Sequence, residues 1–283
     1  MFWVLIIAAG SLNLHARILP AKAADATPKS AWQQTTPTSD NPSFDAAAEQ
    51  QMLDLANSER ARVGLAPLKL DSGLVKAART HAAAMAAQEQ ISHQFSGEPS
   101  LTERIAANSN LPLDREGENV AVAPTADDAH RALMASPPHR ENLLNPNFNV
   151  AGIGVYRRNN RIYVAQDFGD SLPSYSVKQA QELVAQSIEQ LRAQANMPKL
   201  ERTSGSGAAS SACAMGQADS LAAATPPPGA YMLRYTSMTP ESIPSAISKV
   251  ISQRGLHTYS AGTCYARTQT YPDGAYWVVL VFY

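Results

Sequence analysis

The chain has 283 residues, of which 45% are hydrophobic and 17% are charged, enough for one large domain or two smaller ones with cores of their own. Its formal net charge is −1 at pH 7, and lysine and arginine form no large local cluster. This balance excludes a general attraction to nucleic acid or to an anionic membrane surface. We therefore expect no nucleic-acid partner.

The N-terminus has the features of an export signal. An apolar run from Phe2 to Leu14 is too short to span a bilayer, which needs about 20 apolar residues. Ala21-Lys22-Ala23 then offers a cleavage site of small residues, although no Lys or Arg precedes the apolar run. We interpret residues 1–23 as a signal peptide and residues 24–43 as a flexible leader, which predicts a secreted or extracytoplasmic protein. An uncleaved membrane anchor is the alternative, and only then do we expect a membrane partner.

The next segment predicts two helices and a long loop. Helical spacing of apolar and small residues predicts one helix between Asp45 and Gly64, and a second after a capping site at Asp71. The second helix carries His81 on its apolar stripe, which favours a hydrogen-bonded core histidine over a ligand. Glycines and prolines then predict a loop over residues 92–119.

A short helix and a hairpin follow. Thr125 resembles the start of a capping box with Asp in place of Glu, and Pro137-Pro138 predicts that the helix ends at Ala135. Two strands are predicted at Val150–Tyr156 and Arg161–Phe168, joined by a tight turn. These elements predict an α/β domain with a mostly antiparallel sheet.

The second half of the chain echoes the order of the first. A helix, a Pro-Leu turn, a helix of small residues and a terminal hairpin recur, and Gly262 aligns with Gly152 in this comparison. The first copy contains His93, Glu118 and His139, which are candidates for a functional site. Nothing in the second copy replaces them. A degenerate repeat and an unrelated α+β domain both remain open.

The only two cysteines, Cys213 and Cys264, both lie in the second half. In an exported chain a pair of cysteines predicts one disulfide, here between a helix and a strand. Two buried free thiols are the alternative.

Three short patterns contain the candidate chemistry. His93 follows the second helix, Glu118 lies in a Gly-Glu-Asn sequence at a junction between loop and regular structure, and His139 follows the proline pair. Together with Asn57-Ser58-Glu59-Arg60 and Gly152-Ile153-Gly154, in this order, these motifs resemble the CAP superfamily of cysteine-rich secretory proteins, venom antigens and pathogenesis-related proteins. The resemblance is greatest to its bacterial branch. We place this domain at residues 44–170 and a second α+β region at residues 171–283.

The resemblance implies a three-layer α-β-α sandwich with a cleft lined by two histidines and two glutamates, where the histidines can hold a divalent metal. By motif position, His93 and His139 match the histidines and Glu118 matches one glutamate. The second glutamate is expected on the helix before the last histidine, which carries two aspartates and His130 but no Glu. We expect His130 at the surface.

Binding and catalysis are both open. As a binding protein, the chain would hold a lipid, a peptide or a cell-envelope component in the cleft. As a metal-assisted hydrolase or peptidase, it would use His93, Glu118 and His139, because two imidazoles and a carboxylate suffice for zinc or another divalent metal with open positions. A structural envelope protein is a third reading. We favour binding over an enzyme because the set of cleft residues is incomplete.

Overall fold

The computed structural model describes residues 44–203 and 207–283, so the predicted signal peptide and leader lie outside the described residues. The helices are α1 (Ala46–Arg62), α2 (Ser72–Gln88), α3 (Leu101–Ala106), α4 (Ala126–Ala135), α5 (Pro137–Leu143), α6 (Val177–Gln194), α7 (Gly207–Ala218) and α8 (Ser245–Ile251). The strands are β1 (Lys69–Leu70), β2 (Leu113–Ala123), β3 (Val150–Arg158), β4 (Arg161–Ser171), β5 (Glu201–Arg202), β6 (Tyr231–Ser237), β7 (Thr258–Ala266) and β8 (Ala275–Phe282). None of the described helices is long and apolar enough to cross a membrane.

The first half, residues 44–171, is a three-layer sandwich around a sheet of order β1-β3-β4-β2. Helices α1, α4 and α5 cover one face, and α2 covers the other. β1 pairs in parallel with β3, whereas the other pairings are antiparallel. The predicted α/β class and the three-layer arrangement are confirmed.

Local signals define the element ends as predicted. The side chain of Asp45 accepts a hydrogen bond from the Ala48 amide, and that of Asp71 accepts from two amides at the start of α2. Asn159 and Asn160 form the hairpin turn with φ values of 49° and 58°, a conformation that asparagine tolerates well.

The predicted loop over residues 92–119 was wrong in its second part. It contains α3, whose start is stabilised by a capping box between Ser100 and Glu103, and it runs into β2. Glu118 therefore lies inside a strand and not at a junction. Gly117 keeps the strand close to its neighbours, because a Cβ there would lie 2.9 Å from the Phe148 ring.

The expected surface position of His130 was also wrong. His130 is 5% exposed on the inner face of α4, where its ring lies 4.0 Å from Glu59 of α1. Burial lowers the pKa of His130, so the ring is neutral at pH 7. The sequence misled because the helix is amphipathic and His130 falls at the edge of its apolar stripe.

A buried arginine ties α1 to distant turns. The guanidinium of Arg60 donates to the carbonyls of Ala66, Leu143, Asn145 and Phe148 at 2.8–3.0 Å. Asn57 also exchanges two hydrogen bonds with the backbone of Leu68. The motif at residues 57–60, one of those that resemble the CAP superfamily, therefore holds turns of the fold in place in this chain.

The second half, residues 172–203 and 207–283, repeats this arrangement. Its sheet has the order β5-β7-β8-β6, with a parallel first pair and antiparallel pairs after it, and α6 and α7 lie on opposite faces. Arg192 of α6 donates to the carbonyls of Pro198, Ile251 and Gln253, as Arg60 does in the first half. The predicted disulfide between Cys213 and Cys264 is present and joins α7 to β7.

The strand register corrects the predicted alignment of glycines. Val150 pairs with Lys69 as Thr258 pairs with Glu201, so Gly262 corresponds to Gly154 and not to Gly152. A Cβ on Gly262 would lie 2.1 Å from the backbone of α7, and one on Gly154 would lie 2.3 Å from the backbone of α2. Glycine is required at both places because a helix packs directly on the strand.

Candidate functional site

The candidate site lies at the β2 edge of the first sheet. The segment after α2 brings His93 to this edge from one helical layer, and α5 brings His139 from the other. Glu118 stands on β2 between them and is 8% exposed. Asn119, the residue after Glu118 on β2, donates to the His139 carbonyl at 3.0 Å, which places His139 at the same edge. The fold thus brings together the three residues predicted from the motifs.

Glu118 orients His93. One carboxylate oxygen of Glu118 lies 2.9 Å from His93 Nδ1, and the other accepts a hydrogen bond from Nη2 of Arg104, which is itself buried. Arg104 Nη1 also donates to the His93 carbonyl, at 3.3 Å. Because both oxygens of Glu118 are engaged, the carboxylate and the imidazole it holds are fixed in place. The His93 side chain remains 62% exposed, which leaves its other ring nitrogen free to meet a ligand.

A second ionic layer lies beneath this pair. His81, fully buried, contacts Glu98 Oε1 through Nδ1 at 2.6 Å and the Ser92 carbonyl through Nε2 at 2.7 Å. Burial raises the pKa of Glu98, but the hydrogen bonds from His81 and from the Phe95 amide outweigh it and bring the pKa below 4.5. The predicted core role of His81 therefore includes anchoring the residue that precedes His93.

Asp167 of β4 is a further acidic residue of the same face. It lies opposite Glu118 in the sheet, is 0% exposed, and has no hydrogen-bond partner for either oxygen among the described residues. Burial and the neighbouring Glu118 charge raise the pKa of Asp167 well above its usual value, with Arg104 opposing. The buried Asp167 carboxyl therefore favours its protonated form, and Glu118 is the carboxylate of this pair that contacts Arg104.

His139 is held by an amide network. Asn119 donates to the His139 carbonyl at 3.0 Å, and Asn142 donates to Asn119 Oδ1 at 3.0 Å and to the Glu118 carbonyl at 3.2 Å. Burial first, and the nearby His93 ring second, lower the pKa of His139, which favours its neutral form at pH 7. The site therefore presents one neutral, half-buried imidazole beside one exposed imidazole.

The donor set does not fit a catalytic zinc ion. Such an ion needs about three protein ligands, and Glu118 is already bound to His93 and Arg104. Across residues 44–203 and 207–283, no group of three or more His, Cys, Asp and Glu side chains is placed to hold a metal ion. His93 and His139 are the two donors that a divalent cation would meet there.

Sequence reasoning missed the residues that hold the site together. Arg104 lies on α3, whose Ser100-x-x-Glu103 capping signal could have revealed the helix. Asp167 follows Gln166 in an otherwise apolar strand, and such a polar pair in a buried strand is itself a signal of a buried network.

The first half of the chain is similar to known proteins. Residues 53–168 match the model of the CAP family, described as the cysteine-rich secretory protein family. The uncharacterized protein YkwD of Bacillus subtilis is 33% identical over 138 residues, which cover 48% of this chain and 53% of YkwD. The uncharacterized membrane protein YlbC of the same organism is 31% identical over 125 residues, 43% of this chain and 34% of YlbC. This chain thus spans about half the length of one relative and a third of the other.

Among solved structures, an extracellular protein containing a SCP domain from Bacillus anthracis is 29% identical. The similarity covers 44% of this chain and 40% of that one, with a TM-score of 0.40.

Proposed function

Since residues 53–168 form a CAP domain of the bacterial type, we propose that this chain is an extracytoplasmic protein that binds a polar ligand at the surface formed by His93 and His139. One observation carries the proposal. Glu118 is fixed by buried Arg104 and in turn orients an imidazole that is 62% exposed. A buried ion pair that supports an exposed side chain preorganises that side chain for a ligand, which lowers the cost of ordering it on binding.

The chemistry of the surface selects the class of ligand. The free Nε2 of His93 can accept a hydrogen bond, or donate one when the ring is protonated, and His139 offers a ring that both donates and accepts. Such a pair suits a group with carbonyl, carboxylate or phosphate oxygens. Cell-envelope peptides and phospholipid headgroups both carry these groups, so the predicted lipid, peptide and envelope ligands share the chemistry that this surface recognises.

Hydrolysis is the second candidate function, and the contact between His93 Nδ1 and Glu118 favours it. A carboxylate that orients an imidazole is the arrangement of a general base acting on water. The described residues place no third metal ligand beside it, and for this reason we rank hydrolysis below binding. No step through a metal ion follows from these residues.

The test is isothermal calorimetry of the exported chain, residues 24–283, against a muropeptide, a short unrelated peptide and anionic phospholipid vesicles. The wild type, His93→Ala and His139→Ala are compared with His257→Ala, which removes an exposed histidine far along the chain. We expect one ligand class to bind and both site variants to weaken it about tenfold or more, equivalent to about 1.4 kcal/mol, while the control binds as wild type.

Three outcomes would contradict the proposal. Binding that persists unchanged in both site variants would show that the ligand does not bind at this site. Turnover of the muropeptide or peptide that Glu118→Gln abolishes, and that the wild type loses with a chelator and regains with added Zn²⁺, would favour the hydrolase. A chain that binds none of the three probes would leave a structural envelope role as the better account.

A further inference from the structure

We propose that the second half of the chain sets the position of the candidate site, and that Arg267 is the positioning residue that makes the connection. This inference deepens the proposed function, because it names what controls the histidine surface, but it is argued and tested without a ligand. Three successive steps, argued from contacts between described residues, connect Arg267 to His93.

The first link joins the halves. Arg267 follows β7 directly, and its guanidinium donates to the Ala106 carbonyl at 2.7 Å and to the Leu111 carbonyl at 3.3 Å. Ala106 is the last residue of α3, and Leu111 lies in the turn between α3 and β2. The end of a helix leaves carbonyl groups without partners, and a cation there is favourable to the helix dipole. Arg267 thus supplies donors that the first half lacks at this point.

The second link runs along α3. This helix has six residues, too few to hold its position by its own hydrogen bonds, so its placement depends on what contacts it. Arg104 lies on the same turn as Ala106 and points to the opposite side, where it binds Glu118 and the carbonyls of His93 and Pro99. A shift of α3 moves Arg104, and Arg104 is the residue that fixes Glu118.

The third link is the pair already described, in which Glu118 orients His93. A pair of acidic residues near Arg267 also supports the inference that the second half positions the site in the first half. Burial first, and the charge of Asp273 in the turn before β8, raise the pKa of Glu116 to about 7. Glu116 is two residues before Glu118 on β2 and accepts a hydrogen bond from Thr102 of α3 at 2.6 Å. The second half therefore meets both α3 and β2, the two elements that carry Arg104 and Glu118.

A groove marks this junction. It encloses about 670 Å³ between the end of α3 and the segment after β7, and Arg267 forms part of its wall. Packing between the halves is open here, and the two hydrogen bonds of Arg267 cross from the second half to the end of α3 and the turn that follows it. Arg267 is expected to matter more than its partial exposure suggests.

The experiment compares full-length Arg267→Ala with Arg234→Ala in the absence of ligand. Arg234 is the matched control, because it also donates to a carbonyl, that of Ala224 at 2.6 Å, but within the second half. Two measurements are made: hydrogen exchange of the α3 amides, and the ring NMR signals of His93. We expect about tenfold faster exchange in α3 and displaced His93 ring signals in Arg267→Ala, with neither change in the control.

Conservative replacement separates positioning from folding. Arg267→Lys keeps the charge and can restore one of the two hydrogen bonds, so its exchange and its ring signals should fall between those of the wild type and Arg267→Ala. Far-UV circular dichroism establishes that each variant is folded, and the Lys variant decides the matter if the Ala variant is not.

Two results would overturn the proposal. The first is a folded Arg267 variant with wild-type exchange in α3. The second is faster exchange in α3 with unchanged His93 signals, which would reduce Arg267 to a local stabiliser. Neither result depends on whether the protein binds a ligand, so failure of the proposed function is read separately from failure of this inference.

Discussion

Replacement of Arg60 by methionine tests the account of how the first half is held together. The side chain is 1% exposed and donates to four carbonyls, those of Ala66, Leu143, Asn145 and Phe148. Methionine fills most of the same volume but donates no hydrogen bond. The variant therefore isolates the loss of donors from the creation of a cavity.

The size of the effect follows from the burial of the acceptors. The hydrogen bonds to Leu143 and Phe148 are buried, and a buried acceptor left without a donor costs about 1–3 kcal/mol. The two other carbonyls are partly exposed and can bind water. We expect Arg60→Met to lower the free energy of unfolding by about 4 kcal/mol. Arg192→Met, with one buried acceptor at Ile251, should cost about half as much.

Urea unfolding followed by far-UV circular dichroism measures both variants. Arg140→Met is the control, because Arg140 is exposed and makes one long contact of 3.4 Å to the Met134 carbonyl, and it should change stability by less than about 0.5 kcal/mol. An Arg60→Met protein within about 1 kcal/mol of wild type would refute the reasoning. A larger loss in Arg192→Met than in Arg60→Met would refute the ranking by buried acceptors.

Three further predictions concern pH, packing and the disulfide. Burial is the main cause that raises the pKa of Glu116 to about 7 and that of Asp273 to about 6, so the folded chain keeps protons that the unfolded chain loses near pH 4. Stability is then full below about pH 4 and falls up to about pH 7, and Glu116→Gln should raise the free energy of unfolding near pH 8 by about 2 kcal/mol in urea titrations. Gly154→Ala places a methyl group 2.3 Å from the backbone of α2 and should cost about 3 kcal/mol in the same assay. Reduction of the Cys213–Cys264 disulfide, whose cysteines are 51 residues apart, should lower the free energy of unfolding by about 4 kcal/mol in thermal scans with and without reductant.

Each of these has a contrary outcome. A Glu116→Gln protein that loses stability near pH 8 would mean that the folded chain favours the ionised carboxylate, so that burial does not raise the pKa of Glu116. Wild-type stability of Gly154→Ala would place the strand farther from α2 than the structure has it. The same thermal scan with reductant and without it, in protein whose thiols are shown to be freed, would mean that the disulfide does not stabilise the second half.

The sequence predicts the parts of the fold that depend on local chemistry. Asp45 and Asp71 mark the helix starts because their carboxylates satisfy free amides within three residues, and the Asn159-Asn160 turn is set by backbone conformation. These signals lie inside one stretch of chain. They are readable without knowledge of what packs against them.

The supporting residues of the site were not predictable in the same way. Arg104 reaches Glu118 from 14 residues away, through a helix hidden in an apparent loop, and Asp167 reaches it across the sheet. Both belong to the site only because tertiary packing places their elements side by side. The second glutamate that the family resemblance implies is absent from α4. The inner face of that helix carries His130 instead.

The sequence shows that the second half lacks the motifs of the first, but the residues that replace them could be identified only from the strand register. Glu118 lies opposite Asp167 in the first sheet, whereas Met232 lies opposite Val281 at the corresponding place in the second. Apolar residues thus occupy the positions of the two buried acidic residues. The second half keeps the scaffold of the first, including Arg192, without its site.

Titration of a muropeptide into residues 24–283, followed by the ring ¹⁵N signals of His93 and His139, tests the central claim most directly. If the fixed His93 and the neutral His139 form the binding surface, both rings shift together and saturate with one dissociation constant, while the ring of buried His81 stays unchanged. Anionic phospholipid vesicles form the second arm and distinguish the source of the ligand. Saturable binding that leaves the His93 and His139 signals where they were would contradict the account.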